Sequence, residues 1–407
     1  MKILIVSRGT PSGGKAPFEA DQARALAAAG HEVVMLALDL RSIRHRRPLG
    51  VSAERAEDFP VVVNSVPLGA LPAKAFYALG VRAFKKGYQA CVKAFGAFDI
   101  VHAHFLDNGY FAAKGLEECR GRSPSDGEET CEGRCPSDGE ETCEGRSPSA
   151  LPKLVITEHS SWMNRPLEEV PNEKRPYAAY AYRRADVVIA VSRALASRIE
   201  SNFGVRCEVV PNIYDEAIFG SGGREGRCPS ALPKTRFISV GNLVSIKQPE
   251  LLVKCFAEVF PHGEASLRII GDGERRFALE AMLREWPEAD IRLLGRKARE
   301  AIAEELRASD VFVLLSERET FGVAYVEAMA EGLPVIATCC GGPEDFVTEA
   351  NGLLIGDSPE EVKEALRRMD SDYAKYDRDE IARSVSDRFS PKAVAEQLQK
   401  VYEGLFE

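Results

Sequence analysis

No uncharged run exceeds the 15 residues from Phe59 to Ala73, and that run carries Pro60, Pro67 and Pro72. It is too short and too proline-broken to cross a bilayer as a helix. The opening MKILIV reads as a strand, with no apolar run of signal length and no small-residue cleavage site behind it, which points to the cytoplasm. The glycines after this strand do not follow G-x-G-x-x-G, so a dinucleotide fingerprint is unsupported. No acidic D-x-D pair stands near a strand end, so metal-dependent chemistry is not expected. Ten cysteines in a long chain without a signal do not make a disulfide framework. Five of them, Cys119, Cys131, Cys135, Cys143 and Cys228, fall in repeated segments. Cys131 and Cys135 are the close pair there, and no histidine lies nearby for a zinc site.

What is present is a globular composition, with 45% hydrophobic and 28% charged residues. Its 407 residues are too many for one core and suggest two domains. The net charge of −9 is unevenly spread. Residues 1–98 hold 14 Lys and Arg against 7 Asp and Glu, leaving 39 against 55 for the remainder. Between 71 and 98, Lys74, Arg82, Lys85, Lys86 and Lys93 occur without an acid, interleaved with Phe76, Tyr77, Phe84, Tyr88 and Phe95. This is a candidate face for a membrane surface or an anionic acceptor, or else an ordinary solvated helix flank.

GRSPSDGEETCE at 121–132 recurs almost unchanged at 133–144, and GRSPSALPK at 145–153 matches GRCPSALPK at 226–234. These runs are nearly empty of large apolar residues and read as disordered insertions. Elsewhere β-branched runs alternate with helical stretches. KILIV, EVVMLAL, VVVNSV, DIVHA, KLVIT and DVVIAV make one doubly wound series, and RFISV, LRII, IRLL, DVFVLL and PVIAT make a second. Such near-continuous apolar strands imply parallel sheets with ligands beyond their carboxyl ends. The expected lobes would face each other across a cleft, with a hinge near VVPNIYDEAIF at 209–219.

The candidate site residues follow strand ends. Gly13 and Gly14 precede the first helix, either as a phosphate cradle or as a plain flexible loop. SERETFGVAYVEAMAEGLPVIATCCGGPEDFV at 316–347 places Glu319 in a loop and Glu327 in the helix behind it, eight positions on. Counted as helix, that spacing puts the carboxylates about two turns apart. Lys247, in VGNLVSIKQPE, sits where a cation can meet a diphosphate, and Gly341 and Gly342 are expected to offer free backbone N–H groups. His159 in TEHS follows a strand and favours a functional role, whereas His104 fits a structural histidine equally well. Trp162 suits either stacking on an acceptor sugar or simple packing. Taken singly, Glu327 would be an exposed helix glutamate, and Lys247 with Asn242 a surface loop.

In these motifs, and in GGKAPFEADQARALAAAGHEV, FDIVHAHF, RADVVIAVSRAL, RIIGDGERR and YEGLF, the chain resembles the retaining GT-B glycosyltransferases of family 4 (glycosyl transferases group 1). The resemblance implies an α/β GT-B fold of two Rossmann-like lobes, with a C-terminal helix returning to the N-terminal lobe. The implied divisions are an acceptor-side lobe at 1–220 containing the insertion at about 119–150, a linker at 221–234, a donor lobe at 235–390 and a helix at 391–407. It implies transfer of a sugar, with retention, from a UDP-sugar or GDP-sugar to a glycan or lipid-linked hydroxyl, in cell-surface polysaccharide or glycolipid synthesis. No cofactor or metal is implied, nor nucleic acid, and membrane contact would be peripheral, on the inner face, through 71–98.

The same resemblance assigns Glu319 to the donor sugar, Glu327 to the ribose, Lys247 to the diphosphate and His159 to the transferred sugar. Gly13, Gly14, Asn242, Phe321 and Gly322 complete the implied donor site. Asn242 stands where the family often has arginine, leaving Lys247 the only cation of that pair; either donor affinity is weaker or Arg318, Arg296 or a main-chain donor compensates. A sugar-nucleotide epimerase and a non-catalytic two-lobed sugar-binding protein are the rival readings.

Overall fold

The structure is a computed structural model, and it describes residues 1–10, 17–40, 49–56, 58–66, 71–120, 151–220 and 234–407. Gly13, Gly14, most of the repeat insertion and nearly all of the 221–234 linker lie outside the described residues. The described chain divides into two compact units. One holds Met1–Ala23, Gly30–Thr157 and Asn172–Val188; the other holds Arg24–Ala29, Glu158–Pro171 and Ile189–Glu407.

The first sheet is built of β1 (Lys2–Ser7), β2 (Glu32–Asp39), β3 (Gly50–Arg55), β4 (Pro60–Ser65), β5 (Ile100–His104), β6 (Lys153–Glu158), β7 (Val187–Ala190) and β8 (Cys207–Val209). Their order is β3-β4-β2-β1-β5-β6-β7-β8. β1 runs parallel to β2 from Lys2 opposite Glu32 to Ser7 opposite Ala37, and parallel to β5 on its other side. Ile3, Leu4, Ile5 and Val6 are fully buried, as expected of a strand covered on both faces. β3 is a departure: it pairs antiparallel with β4 at the sheet edge.

Helices α1 (Pro17–Ala28), α2 (Ala73–Phe95), α3 (Phe105–Arg120), α4 (Arg175–Arg184) and α5 (Arg193–Phe203) accompany this sheet in sequence. α3 continues through Cys119 to Arg120, so Cys119 belongs to a helix that ends just before the first repeat opens at Gly121, and not to the insertion expected from about 119. α2 lies close against α3 because Gly80 and Gly115 give way to aromatic rings: a Cβ at Gly80 would come within 2.2 Å of Phe111, and one at Gly115 within 2.4 Å of Phe84. The aromatic residues of α2 do not share its solvent face. Tyr77 and Phe84 are buried, Phe76, Tyr88 and Phe95 are half-buried, and Lys74, Arg82, Lys86 and Lys93 are exposed. Lys85 is drawn aside by Glu118, 2.8 Å away.

The second sheet contains β9 (Arg236–Val240), β10 (Ser266–Ile270), β11 (Asp290–Gly295), β12 (Val311–Leu314), β13 (Val335–Thr338) and β14 (Gly352–Ile355). Every pairing is parallel. Its order, β11-β10-β9-β12-β13-β14, moves one way from β9 and then restarts on the other side at β12. That reversal is where a doubly wound sheet opens a crevice beyond its carboxyl ends. Helices α6 (Pro249–Val259), α7 (Arg276–Met282), α8 (Arg299–Arg307), α9 (Val323–Ala330), α10 (Pro359–Asp372), α11 (Arg378–Phe389) and α12 (Pro391–Glu403) belong to this part of the chain. Phe237, Phe256 and Phe260 pack edge-on and tilted in its core.

Candidate functional site

Lys247 follows β9 and Glu319 follows β12, so both stand at the carboxyl ends of the two strands where the winding reverses. After Val240 the chain is stitched to the next loop by Gly241 N–H to Ile270 O (3.0 Å) and Leu243 N–H to Asp272 O (3.1 Å). It then makes one 3₁₀ turn, Ser245–Lys247, and enters α6 through Gln248, whose φ of 46° is left-handed. Glu317 N–H donates to Ile246 O at 2.8 Å, which ties the β12 loop to this turn.

The Lys247 ammonium forms an ion pair with the Glu319 carboxylate. Ser316 Oγ donates to the same carboxylate oxygen at 2.9 Å. The Glu319 backbone is held as firmly. Its N–H donates to Cys340 O (2.9 Å), and its carbonyl accepts from Gly342 N–H (3.1 Å) and from Asn164 Nδ2 (2.9 Å). Gly342 N–H is therefore engaged, not free as expected, because the strand-like pairing of Glu319 with Gly341 brings it to that carbonyl.

Between Glu319 and Glu327 the backbone is not continuous helix. Gly322 takes φ 99° and caps α9, which begins only at Val323. The helical count therefore applies only from Val323 to Glu327, with Glu319 to Gly322 ahead of the helix. Phe321 is buried in an apolar cluster with Phe346 and Phe389. Tyr325, buried in α9, donates its hydroxyl to Leu314 O at 2.6 Å, and burial pushes its pKa up. Glu327 accepts from Arg299 at 2.8 Å; Arg299 also reaches Asp215 at 3.2 Å and stands over the Phe219 ring at 5.4 Å. Arg299 was not singled out from sequence, where it is one of several cations in GRKARE.

Asn242 is exposed. Neither arginine expected to compensate for it pairs with this cluster: Arg318 reaches Glu169 at 3.5 Å, and Arg296 stands 4.0 Å from Asp272. His159 is buried, in a turn where the Glu158 carboxylate accepts from His159 N–H (3.0 Å) and Ser160 N–H (2.7 Å). Its segment, Glu158–Pro171, belongs to the same compact unit as Lys247, Glu319 and Glu327. His104 is fully buried and stacked on His102 at 4.5 Å. Burial raises the Cys340 thiol to about 12, which keeps it neutral beside the ion pair. Among the described residues no group of three or more His, Cys, Asp or Glu side chains is arranged to hold a metal ion. The arrangement brings together two cations, Lys247 and Arg299, each paired with a carboxylate, Glu319 and Glu327, a set suited to an anionic ligand that also carries hydroxyls.

Residues 229–384 match the family model described as glycosyl transferases group 1, and residues 146–217 match the one described as Glycosyltransferase Family 4. N-acetyl-alpha-D-glucosaminyl L-malate synthase of Bacillus anthracis is 28% identical over 240 residues, 55% of this chain and 61% of that protein. The chain thus spans about three-fifths of the length of the curated relatives it matches first. Sucrose-phosphate synthase from Thermosynechococcus elongatus superposes with a TM-score of 0.74 at 20% identity, covering 100% of this chain and 99% of that one. Anabaena HepE in complex with UDP and glucose gives a TM-score of 0.66 at 17% identity, with 99% of each chain covered.

Proposed function

The chain belongs to the group 1 and family 4 glycosyltransferases of GT-B fold, and from that membership we propose that it transfers a sugar from a nucleoside diphosphate to a hydroxyl of a glycan or lipid-linked acceptor. The anomeric configuration is retained, and the product serves cell-surface polysaccharide or glycolipid synthesis. The Lys247–Glu319 pair at the switch point of the second sheet carries this assignment. Negative charge gathers on the diphosphate as the bond to the sugar carbon breaks. A cation fixed there, helped by main-chain N–H groups, stabilises that charge without a metal. Asn242 adds a hydrogen-bond donor without charge. Glu319, freed from Lys247 by the incoming phosphate, turns to the sugar hydroxyls, and Glu327 binds the ribose. His159 lies beside the transferred sugar. The acceptor oxygen bonds to the sugar carbon from the side the diphosphate leaves, and its proton passes to a diphosphate oxygen.

The donor is a UDP-sugar or GDP-sugar; UDP is the nucleotide bound by Anabaena HepE. A lipid-linked acceptor suits the four exposed cations of α2. The test is nucleoside diphosphate release from a panel of UDP- and GDP-sugars, with and without alkyl glycosides and with and without chelator. Acceptor-dependent, chelator-insensitive release is expected, with an unchanged anomeric configuration in the product by proton NMR. Epimerised donor without release, or binding without turnover, would sink the assignment.

A further inference from the structure

Trp162 keeps 42% of its surface exposed, although the chain on either side of it is hydrogen-bonded. Its main-chain N–H donates to Ser160 Oγ at 3.3 Å, and Met163 N–H closes a turn onto Ser160 O at 3.0 Å. Met163 is fully buried, Asn164 is bonded to the main chain of Glu319, and Asn202 Nδ2 donates to Arg165 O at 2.8 Å. The segment is therefore anchored on both sides of the tryptophan. The Arg165 guanidinium lies over the indole at 4.4 Å and is itself within 4.0 Å of Glu169. A large aromatic ring on an anchored stretch of chain, backed by a cation and still half in water is a poor use of burial and a good binding anchor. Its position is equally specific. Trp162 is three residues from His159 and two from Asn164, so its Cα lies at most about 11 Å and 8 Å from theirs at 3.8 Å per step.

We propose that Trp162 is the platform on which a pyranose ring of the acceptor stacks, an inference that rests on the glycosyl-transfer function proposed above. A pyranose presents a face of C–H groups between rims of hydroxyls. The indole takes the C–H face by dispersion and water release. Arg165 and Glu169, the latter 44% exposed, supply a donor and an acceptor for hydroxyls at the rim. Because the chain carrying the ring is already anchored, little entropy is lost when the sugar arrives. The acceptor is thereby a carbohydrate at the end that reacts, whatever it is attached to beyond.

The chain has two tryptophans, so Trp286→Phe leaves the emission of Trp162 alone to be read. Methyl α-D-glucopyranoside, methyl α-D-galactopyranoside and methyl N-acetyl-glucosaminide are titrated in the presence of UDP, with sorbitol as the open-chain control. At least one pyranoside is expected to shift the emission to the blue and to saturate, with sorbitol silent. By calorimetry, Trp162→Ala weakens that pyranoside tenfold or more, and Trp162→Phe stays within threefold of the parent. The proposal is overturned if no pyranoside moves the emission, if sorbitol acts equally, or if Trp162→Ala binds as tightly as the parent. UDP and GDP affinity, followed by thermal shift on the same samples, reports separately on the donor site. Its absence would count against the glycosyltransferase assignment instead.

Discussion

At the scale of single residues, Lys247 and Glu319 do opposite things in one contact. The glutamate holds the lysine in an ion pair, and in the proposed reaction the donor diphosphate would take its place. Lys247→Ala and Glu319→Gln should each lower kcat by about a hundredfold, since one lost electrostatic contact in such a site costs on the order of 3 kcal/mol of barrier. Circular dichroism and the melting temperature should barely move, because the Glu319 backbone stays bonded to Cys340, Gly342 and Asn164. Folded variants with the turnover of the parent would remove both residues from the site. Lys247 and Glu319 were legible as candidates because each lies in a loop behind an apolar strand, and Glu327, inside α9, only through the resemblance. Asn164 and Arg299 were not. They meet Glu319 and Glu327 across 155 and 28 residues, and no local pattern marks a partner at such range.

At the scale of elements, α3 and α4 are joined by Glu117, which accepts from Lys114 (2.7 Å) and from Tyr180 and pairs with Arg184 (3.0 Å). Lys114 and Tyr180, with Arg184 beyond them, hold its carboxyl down at about 2 instead of 4.5. A depressed carboxylate adds stability above its ordinary value and loses it as pH falls through the depressed one. The stability difference between the parent and Glu117→Gln should therefore be constant from neutral pH to about 4.5 and shrink toward pH 2, as chemical denaturation across that range would measure. A gap that widens on acidification would contradict it.

The exposed row of α2 makes a second prediction. With its aromatics turned inward, the hold of this row on an anionic surface would be electrostatic alone, at about 1 kcal/mol per cation. Sedimentation should find the protein on anionic but not neutral vesicles, and release it with salt. Changing Lys74, Arg82, Lys86 and Lys93 to glutamate should abolish the binding; equal binding to both vesicle types would refute it. Most strands were readable as apolar runs. β3, β8 and β14 were missed because GVSAER and CEV are short and largely polar or exposed, and GLLI starts on glycine.

At the scale of the whole molecule, two βαβ series were plain from alternating composition, and both sheets formed accordingly. The grouping of Glu158–Pro171 with the second unit was not plain, because it depends on contacts such as Asn164 with Glu319 that no sequence pattern carries. Residues 121–150 lie outside the described residues, and their near-identical copies and scarcity of apolar side chains argue that they are dispensable. Replacing them by a short Gly/Ser link should leave melting temperature and turnover within error, since each halving of a loop changes closure by only ~0.6 kcal/mol. Aggregation or lost activity would give that segment a role. The charged row on α2 also bears on how the protein behaves in a purification. Lys74 to Lys93 spans roughly 28 Å at 1.5 Å per residue, on a chain whose net charge is −9. An ion-exchange resin responds to the face it meets and not to the sum, so this acidic protein should be retained at pH 7 on a sulfonate column as well as on a quaternary amine. The fourfold glutamate variant should keep only the second affinity, and a bench chromatogram would show it before any vesicle is made.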